Sequence, residues 1–484
     1  MSKTVNNAFY YTIGSLIKAL ASFLLLPIFA NILGASQYGV LNLLQTFSSV
    51  LAILMTFGIE RSLYRLYYDY KGEEEKNKFL STLFWAINCT SLLIILLSVG
   101  CASYLSSLLG GVDAFRVIIP VIIYTFIQAL INYSQIIMQV EQEGKQYLLI
   151  SVLLMISYNV VSLLFLFFYN KTYEAMVYGN LVANVLVIPF AYIRIRKKIK
   201  FTFDFSILKT TLKYSFPLLL MAIFAWVLNM SDRLFLANYS DLESLGLYSM
   251  GSKIVSIMLM FDGAIFQAYG PYFFNLANTA DPEVAKPKLK VANDSITLII
   301  GGIAAMMVLL TNPFLHTILK PEYQGCLIYV YILAIGRVVG QQVGLLNPMI
   351  YQCKKTKEIS LITIVCAIVS IGLNRLLIPI LGPIMAAVNN LIASFLMFVL
   401  TLLCARKNYY IRINPILIIG SILAIIACYI IDVFVSSVLI ALIAKLAVLL
   451  MAFIPAKKSH LINMNEMQMV LGKIAGPLMR VIKK

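Results

Sequence analysis

Residues 30–39 read ANILGASQYG, and residues 237–246 read ANYSDLESLG. Both stretches look like short turns set between long apolar runs, and they lie 207 positions apart. At that offset, with no gap, Ala30, Asn31, Gly39 and Ser49 meet Ala237, Asn238, Gly246 and Ser256. Four identities carry little weight alone. The position of the turns carries more, because the first joins apolar runs one and two and the second joins runs seven and eight.

Those runs are spans. The chain of 484 residues is 61% hydrophobic and 12% charged, with a mean hydropathy of +0.89, which excludes a soluble domain of this length. A spanning helix needs about 20 mostly apolar residues. Fourteen such runs fit, at 8–33, 40–60, 79–105, 115–138, 147–169, 174–193, 212–238, 247–275, 294–319, 326–350, 359–380, 383–404, 414–435 and 438–455. The expected fold is therefore all-α and polytopic. The first run is too long, and lacks a small-residue cleavage site, to read as a removable leader. The seven cysteines are scattered without a CxxC, and His316 and His460 stand alone, so no metal site and no bound cofactor are expected.

Lysine and arginine accumulate on the cytoplasmic side of membrane proteins. With the N-terminus inside, the inner segments hold twenty-nine of them, from Lys3 through the cluster 194–213 to the tail residues Lys473, Arg480, Lys483 and Lys484; the outer turns hold Lys171 and Lys320. Both termini are thus expected in the cytoplasm. The same inner skirt accounts for the net charge of +17 through orientation and anionic lipid, with no nucleic acid as partner.

The basic segment RIRKKIKFTFDFSILKTTLK, 194–213, divides the first twelve spans into six and six. The expected organisation is an N-lobe over 1–205, a C-lobe over 206–407, and a peripheral pair of spans with a tail over 408–484. Both halves begin inside, which makes the repeat parallel, about an axis along the membrane normal, the arrangement in which two bundles rock around a central site.

PIFANILGASQYG followed by FGIERSLYR, with Pro27, Leu33, Gly34, Tyr38, Gly39, Gly58 and Arg61, resembles the N-terminal signature of the polysaccharide transporters of the MOP superfamily. NMSDRLFLANYSDLESLGLYSMGSK, with Asp232, Arg233, Leu236, Gly246, Tyr248 and Lys253, is similar to the matching motif of their seventh and eighth helices. The resemblance implies a MATE-like, MOP-type fold in the bacterial cytoplasmic (inner) membrane. It also implies a flippase of the O-antigen or capsule type that moves an undecaprenyl-pyrophosphate-linked oligosaccharide between leaflets by alternating access. Partners would be that lipid-linked oligosaccharide, membrane lipids and other glycan-assembly membrane proteins.

Ionised side chains at mid-membrane cost at least about 2.5–3.5 kcal/mol, so those present need a reason. Guanidinium and ammonium groups suit a diphosphate headgroup. The candidate set is Lys18, Arg233, Lys253 and Arg337 around a cationic cavity, with Arg61 at its cytoplasmic mouth. Asn229, Asp232 and Arg233 share one helical face, and Arg337 and Gln341 lie one turn apart. In span four Tyr124, Gln128, Asn132, Gln135 and Gln139 trace one face, suited to sugar hydroxyls or equally to joining helices. Asp232 could instead neutralise Arg233 or Lys253; Arg116, Arg375 and Asp432 stand near span ends, where they can snorkel; Lys445 falls in a peripheral span and is set aside. Arg61, Tyr64, Arg65 and Tyr68 share a face that reads as an interfacial anchor.

Two other functions compete. A drug antiporter on the same fold would use a compact pocket with one or two carboxylates, and Glu60, Asp232 or Asp262 could couple H+ or Na+ in either case. A membrane polysaccharide polymerase would present a long outer loop with basic residues, and the outer connections here are short. The chain is therefore read as a transporter and not an enzyme.

Overall fold

The computed structural model describes residues 3–435 and 437–458; His460 and the tail lysines and arginine beyond it lie outside the described residues. Of the described residues 88% are helical and none forms a strand. Among them twelve helices are long and apolar enough to cross a membrane, and the first and last expected spans are occupied by two further helices. Contacts group the chain into two units, Met1–Gly246 and Leu247–Lys484.

The first unit contains α1 (Lys3–Leu24), α2 (Leu26–Thr56), α3 (Ile59–Leu66), α4 (Glu73–Gly100), α5 (Ala102–Leu108), α6 (Ile119–Val140), α7 (Gly144–Phe168), α8 (Tyr173–Ile195), α9 (Phe205–Met230) and α10 (Asp232–Tyr239); α11 (Leu242–Val255) begins in it. Span one ends differently from the expectation. The chain breaks at Leu25 and Pro27 follows, so 26–33 continue directly into span two. The expected turn is reduced to one residue, Gly34, whose φ of 78° and ψ of 166° no side chain adopts easily. The second copy of the turn is a true interruption, in which Ser240 is extended and Asp241 caps α11, accepting from the Ser244 amide at 2.7 Å.

The repeated glycines sit at a crossing. A Cβ on Gly39 would lie 2.6 Å from the Leu242 carbonyl and 2.7 Å from the Gly246 nitrogen, and one on Gly246 would lie 1.9 Å from the Ala35 carbonyl. The two turns aligned by the repeat therefore touch through the residues the repeat pairs, at a separation only glycine permits. The remaining core is apolar: Ile59, Leu63, Phe79, Leu83, Ile87 and Ile137 pack around Tyr133, whose hydroxyl donates to the Leu80 carbonyl at 2.6 Å. Helices α9 and α10 pack on α2, α3, α4 and α5.

The second unit holds the rest of α11 with α12 (Ile257–Thr279), α13 (Pro282–Thr317), α14 (Leu327–Gln352), α15 (Thr356–Leu381), α16 (Ile384–Lys407), α17 (Pro415–Phe434) and α18 (Val438–Lys458). Its centre is α14, whose span is 67% buried, and which packs on α16, α13 and α17. Many spans carry Ser or Thr hydroxyls that donate to the carbonyl four residues back, as Thr311 does to Met307 and Thr401 to Met397, so these polar groups cross lipid already satisfied.

Candidate functional site

The cationic candidate of α1 lies in the first unit. Lys18 is half-buried, with Nζ 3.5 Å from Gln135 Oε1 and 5.8 Å from the centre of the Tyr147 ring, which meets Tyr11 edge to face at 5.2 Å. Gln135 in turn donates to Ser151 at 3.0 Å. The stripe on α6 is thus divided. Gln135 links α1, α6 and α7; Gln139 accepts from Tyr64 of α3 and its carbonyl from Tyr11; Gln128 and Asn132 stay half-buried on the same face. The mixture of amides, an ammonium and aromatic faces offers donors, acceptors and stacking planes together.

Arg233 and Asp232 are both buried, and they pair: Arg233 Nη1 stands 3.3 Å from Asp232 Oδ1 and 3.2 Å from the Asn229 carbonyl. Asn229 itself is exposed. Glu60 opens α3 beside Gly58, whose φ of 69° turns the chain against Ser215 of α9, and Glu60 Oε1 is buried with no hydrogen-bond partner. Its neighbour Arg61 is exposed, whereas Tyr67 and Tyr68 donate to Glu141 and to the Val140 carbonyl, tying α3 to the end of α6.

The other candidates fall in the second unit. Asp262 of α12 lies beside Gln341 and Arg337, both on α14, and Gln341 Oε1 remains buried without a donor. Lys253 is half-buried on α11. Within the first unit the structure brings Lys18 to the α6 stripe and Arg233 to Asp232; within the second it brings Asp262 to Arg337 and Gln341.

One constellation escaped the sequence reading. Asp432 does not snorkel, and Lys445, set aside in the sequence reading, is buried against it: they form an ion pair at 2.9 Å with both side chains fully buried. Tyr331 donates to Asp432 at 2.6 Å and Asn312 at 2.7 Å, while Lys445 also reaches the Val308 carbonyl at 3.3 Å. The residues stand thirteen apart across the turn joining α17 and α18, and opposite charges on facing helices of a hairpin are the signal that would have found them. Among the described residues no three or more His, Cys, Asp or Glu side chains gather as metal ligands would.

A sequence model of the family described as "polysaccharide biosynthesis protein" matches residues 4–277. Two Haemophilus influenzae proteins, "Lsg locus putative protein 1" and an "uncharacterized membrane protein", are each 25% identical over 376 and 377 residues, covering 76% of this chain and 90% and 89% of theirs. Among solved structures, the lipid II flippase MurJ in an inward closed conformation superposes with a TM-score of 0.71 at 16% identity, covering 90% of this chain and 98% of its own. A Vibrio cholerae MATE transporter does so at 0.56 and 15% identity, covering 84% and 98%. These likenesses are of fold: the chain shares the helical architecture of that flippase and of that transporter. With more than half of its length matched, the chain belongs to the polysaccharide biosynthesis protein family, as a polytopic membrane protein.

Proposed function

We propose that this protein is a flippase that carries an undecaprenyl-pyrophosphate-linked oligosaccharide across the bacterial cytoplasmic membrane by alternating access, with both termini in the cytoplasm. The family match carries the reading, and the basic side chains on the spans, Lys18, Arg233, Lys253 and Arg337, support a pyrophosphate as the group handled. The amide and aromatic face of Gln128, Asn132, Gln135 and Gln139 is the proposed contact for sugar hydroxyls, with Asn229 and Gln341 beside the cations. Glu60, with one buried oxygen lacking a donor, is the proposed ion-coupling group ahead of Asp232 and Asp262, which are already partnered.

The test is genetic. Deleting the gene should abolish surface glycan and leave its lipid-linked precursor on the inner leaflet. The wild-type gene should restore display. The combined alanine variant of Lys18, Arg233, Lys253 and Arg337, at equal abundance, should not. Full display by that variant would contradict the site; unchanged display on deletion would contradict the function.

A further inference from the structure

The basic segment between α8 and α9 is too well held to be a slack tether. Its backbone leaves regular helix over 201–204 and crosses one end of α4, where four contacts fix it. The Lys200 amide donates to Ser81 Oγ at 2.8 Å and the Asp204 amide to Thr82 Oγ1 at 3.1 Å; Trp85 Nε1 donates to the Lys200 carbonyl at 3.1 Å; Lys78 Nζ pairs with Asp204 Oδ2 at 2.6 Å. Asp204 also caps α9, accepting from the Ser206 amide at 2.8 Å.

Phe201, Phe203 and Phe205 cluster on this short crossing, and they are 91%, 50% and 72% exposed. Phe201 also meets the Trp85 ring edge to face at 5.0 Å. Around them Arg194, Arg196, Lys197, Lys200, Lys209 and Lys213 are all exposed, and the only acid of the segment, Asp204, is engaged by Lys78 and by the cap. Three large aromatic rings facing water in one cluster would be anomalous. Rings interleaved with unneutralised cations match a membrane interface, where aromatic bodies sit at the headgroup level and basic groups meet anionic lipid.

We infer that residues 194–205 form an interfacial strap: the three phenylalanines enter the headgroup boundary of the leaflet that the basic excess marks as cytoplasmic, and Arg194, Arg196, Lys197 and Lys200 bind its anionic headgroups. The strap is a lipid-binding surface of the first unit, pinned to α4 on its other side. It does not depend on what the protein transports.

The full chain, with its seven cysteines replaced, is labelled with an environment-sensitive fluorophore at Phe203→Cys and placed in vesicles of phosphatidylcholine with or without phosphatidylglycerol. At 203 the emission should shift to the blue and be quenched by lipids spin-labelled near the headgroup, more strongly with phosphatidylglycerol. Combined Arg194→Gln, Arg196→Gln, Lys197→Gln and Lys200→Gln should remove that preference. Solvent-like emission at 203, quenching indifferent to lipid charge, or a shift that appears only at high protein density, as contact with a second copy would give, would each overturn the proposal. A melting temperature unchanged by the four glutamines separates lost lipid binding from lost folding.

Discussion

At Gly246 a methyl group has nowhere to go. Its carbon would fall 1.9 Å from the Ala35 carbonyl oxygen, a backbone atom that moves only if α2 and α11 part. Gly246→Ala should cost about 1–3 kcal/mol, the range for overpacking, visible as a lowered melting temperature in detergent. Gly372→Ala and Gly420→Ala, where nothing lies within 4 Å, should be neutral or slightly stabilising. The buried pair gives a sharper contrast. Removing one partner with Asp432→Ala or Lys445→Ala strands a charge in the interior and should destabilise by about 3–5 kcal/mol, whereas Asp432→Leu with Lys445→Met together should recover most of it. Equal losses in singles and double would mean that packing, not charge, decides the site. These residues also mark how far the sequence could be read. Gly39 and Gly246 were visible as a repeat, but their mutual contact was not, since sequence spacing says nothing of which turns meet in space. Asp432 and Lys445 were visible as charges, and only the facing of α17 and α18 against Asn312 and Tyr331 showed them to be buried rather than snorkelling.

Among the elements, the spans were legible because lipid requires long apolar helices, and each expected run is helical, though the eighth is broken between α11 and α12 at Ser256. The boundary of the first span was not, since Gly34 lets α2 turn without a loop and so leaves no polar signal. The strap end of α9 adds a pH dependence. The Lys78 ammonium, then the Ile207 and Ser206 amides, hold the Asp204 carboxyl below its ordinary value of 3.8. A depressed carboxylate stabilises the folded state at pH above that ordinary value, and the contribution disappears as pH falls through the lower, folded value. Asp204→Asn should therefore flatten the acid limb of the stability profile while leaving neutral transport intact; an unchanged acid limb would show that this cap and pair contribute nothing.

For the molecule as a whole, a duplication and an orientation are expectations from span number, one offset, one loop side and the asymmetry of basic residues, whereas the contacts divide the chain after Gly246 rather than after residue 205. The candidate clusters were legible only as residue types on helical faces. Lys18 with Gln135, Arg233 with Asp232, and Arg337 with Asp262 and Gln341 came from packing, because a helix face defines neighbours along one helix and not across to the next. Transport of a lipid-linked glycan is the central claim, and purified protein in sealed vesicles tests it most directly. With a fluorescent undecaprenyl-pyrophosphate-linked oligosaccharide in both leaflets, an impermeant glycan-modifying enzyme added outside should reach only the outer pool in protein-free vesicles. Wild-type protein should make the inner pool accessible as well, and the combined alanine variant of Lys18, Arg233, Lys253 and Arg337 should leave it protected. An inner pool that stays protected with folded wild-type protein, under an imposed H+ or Na+ gradient as well as without one, would contradict the account.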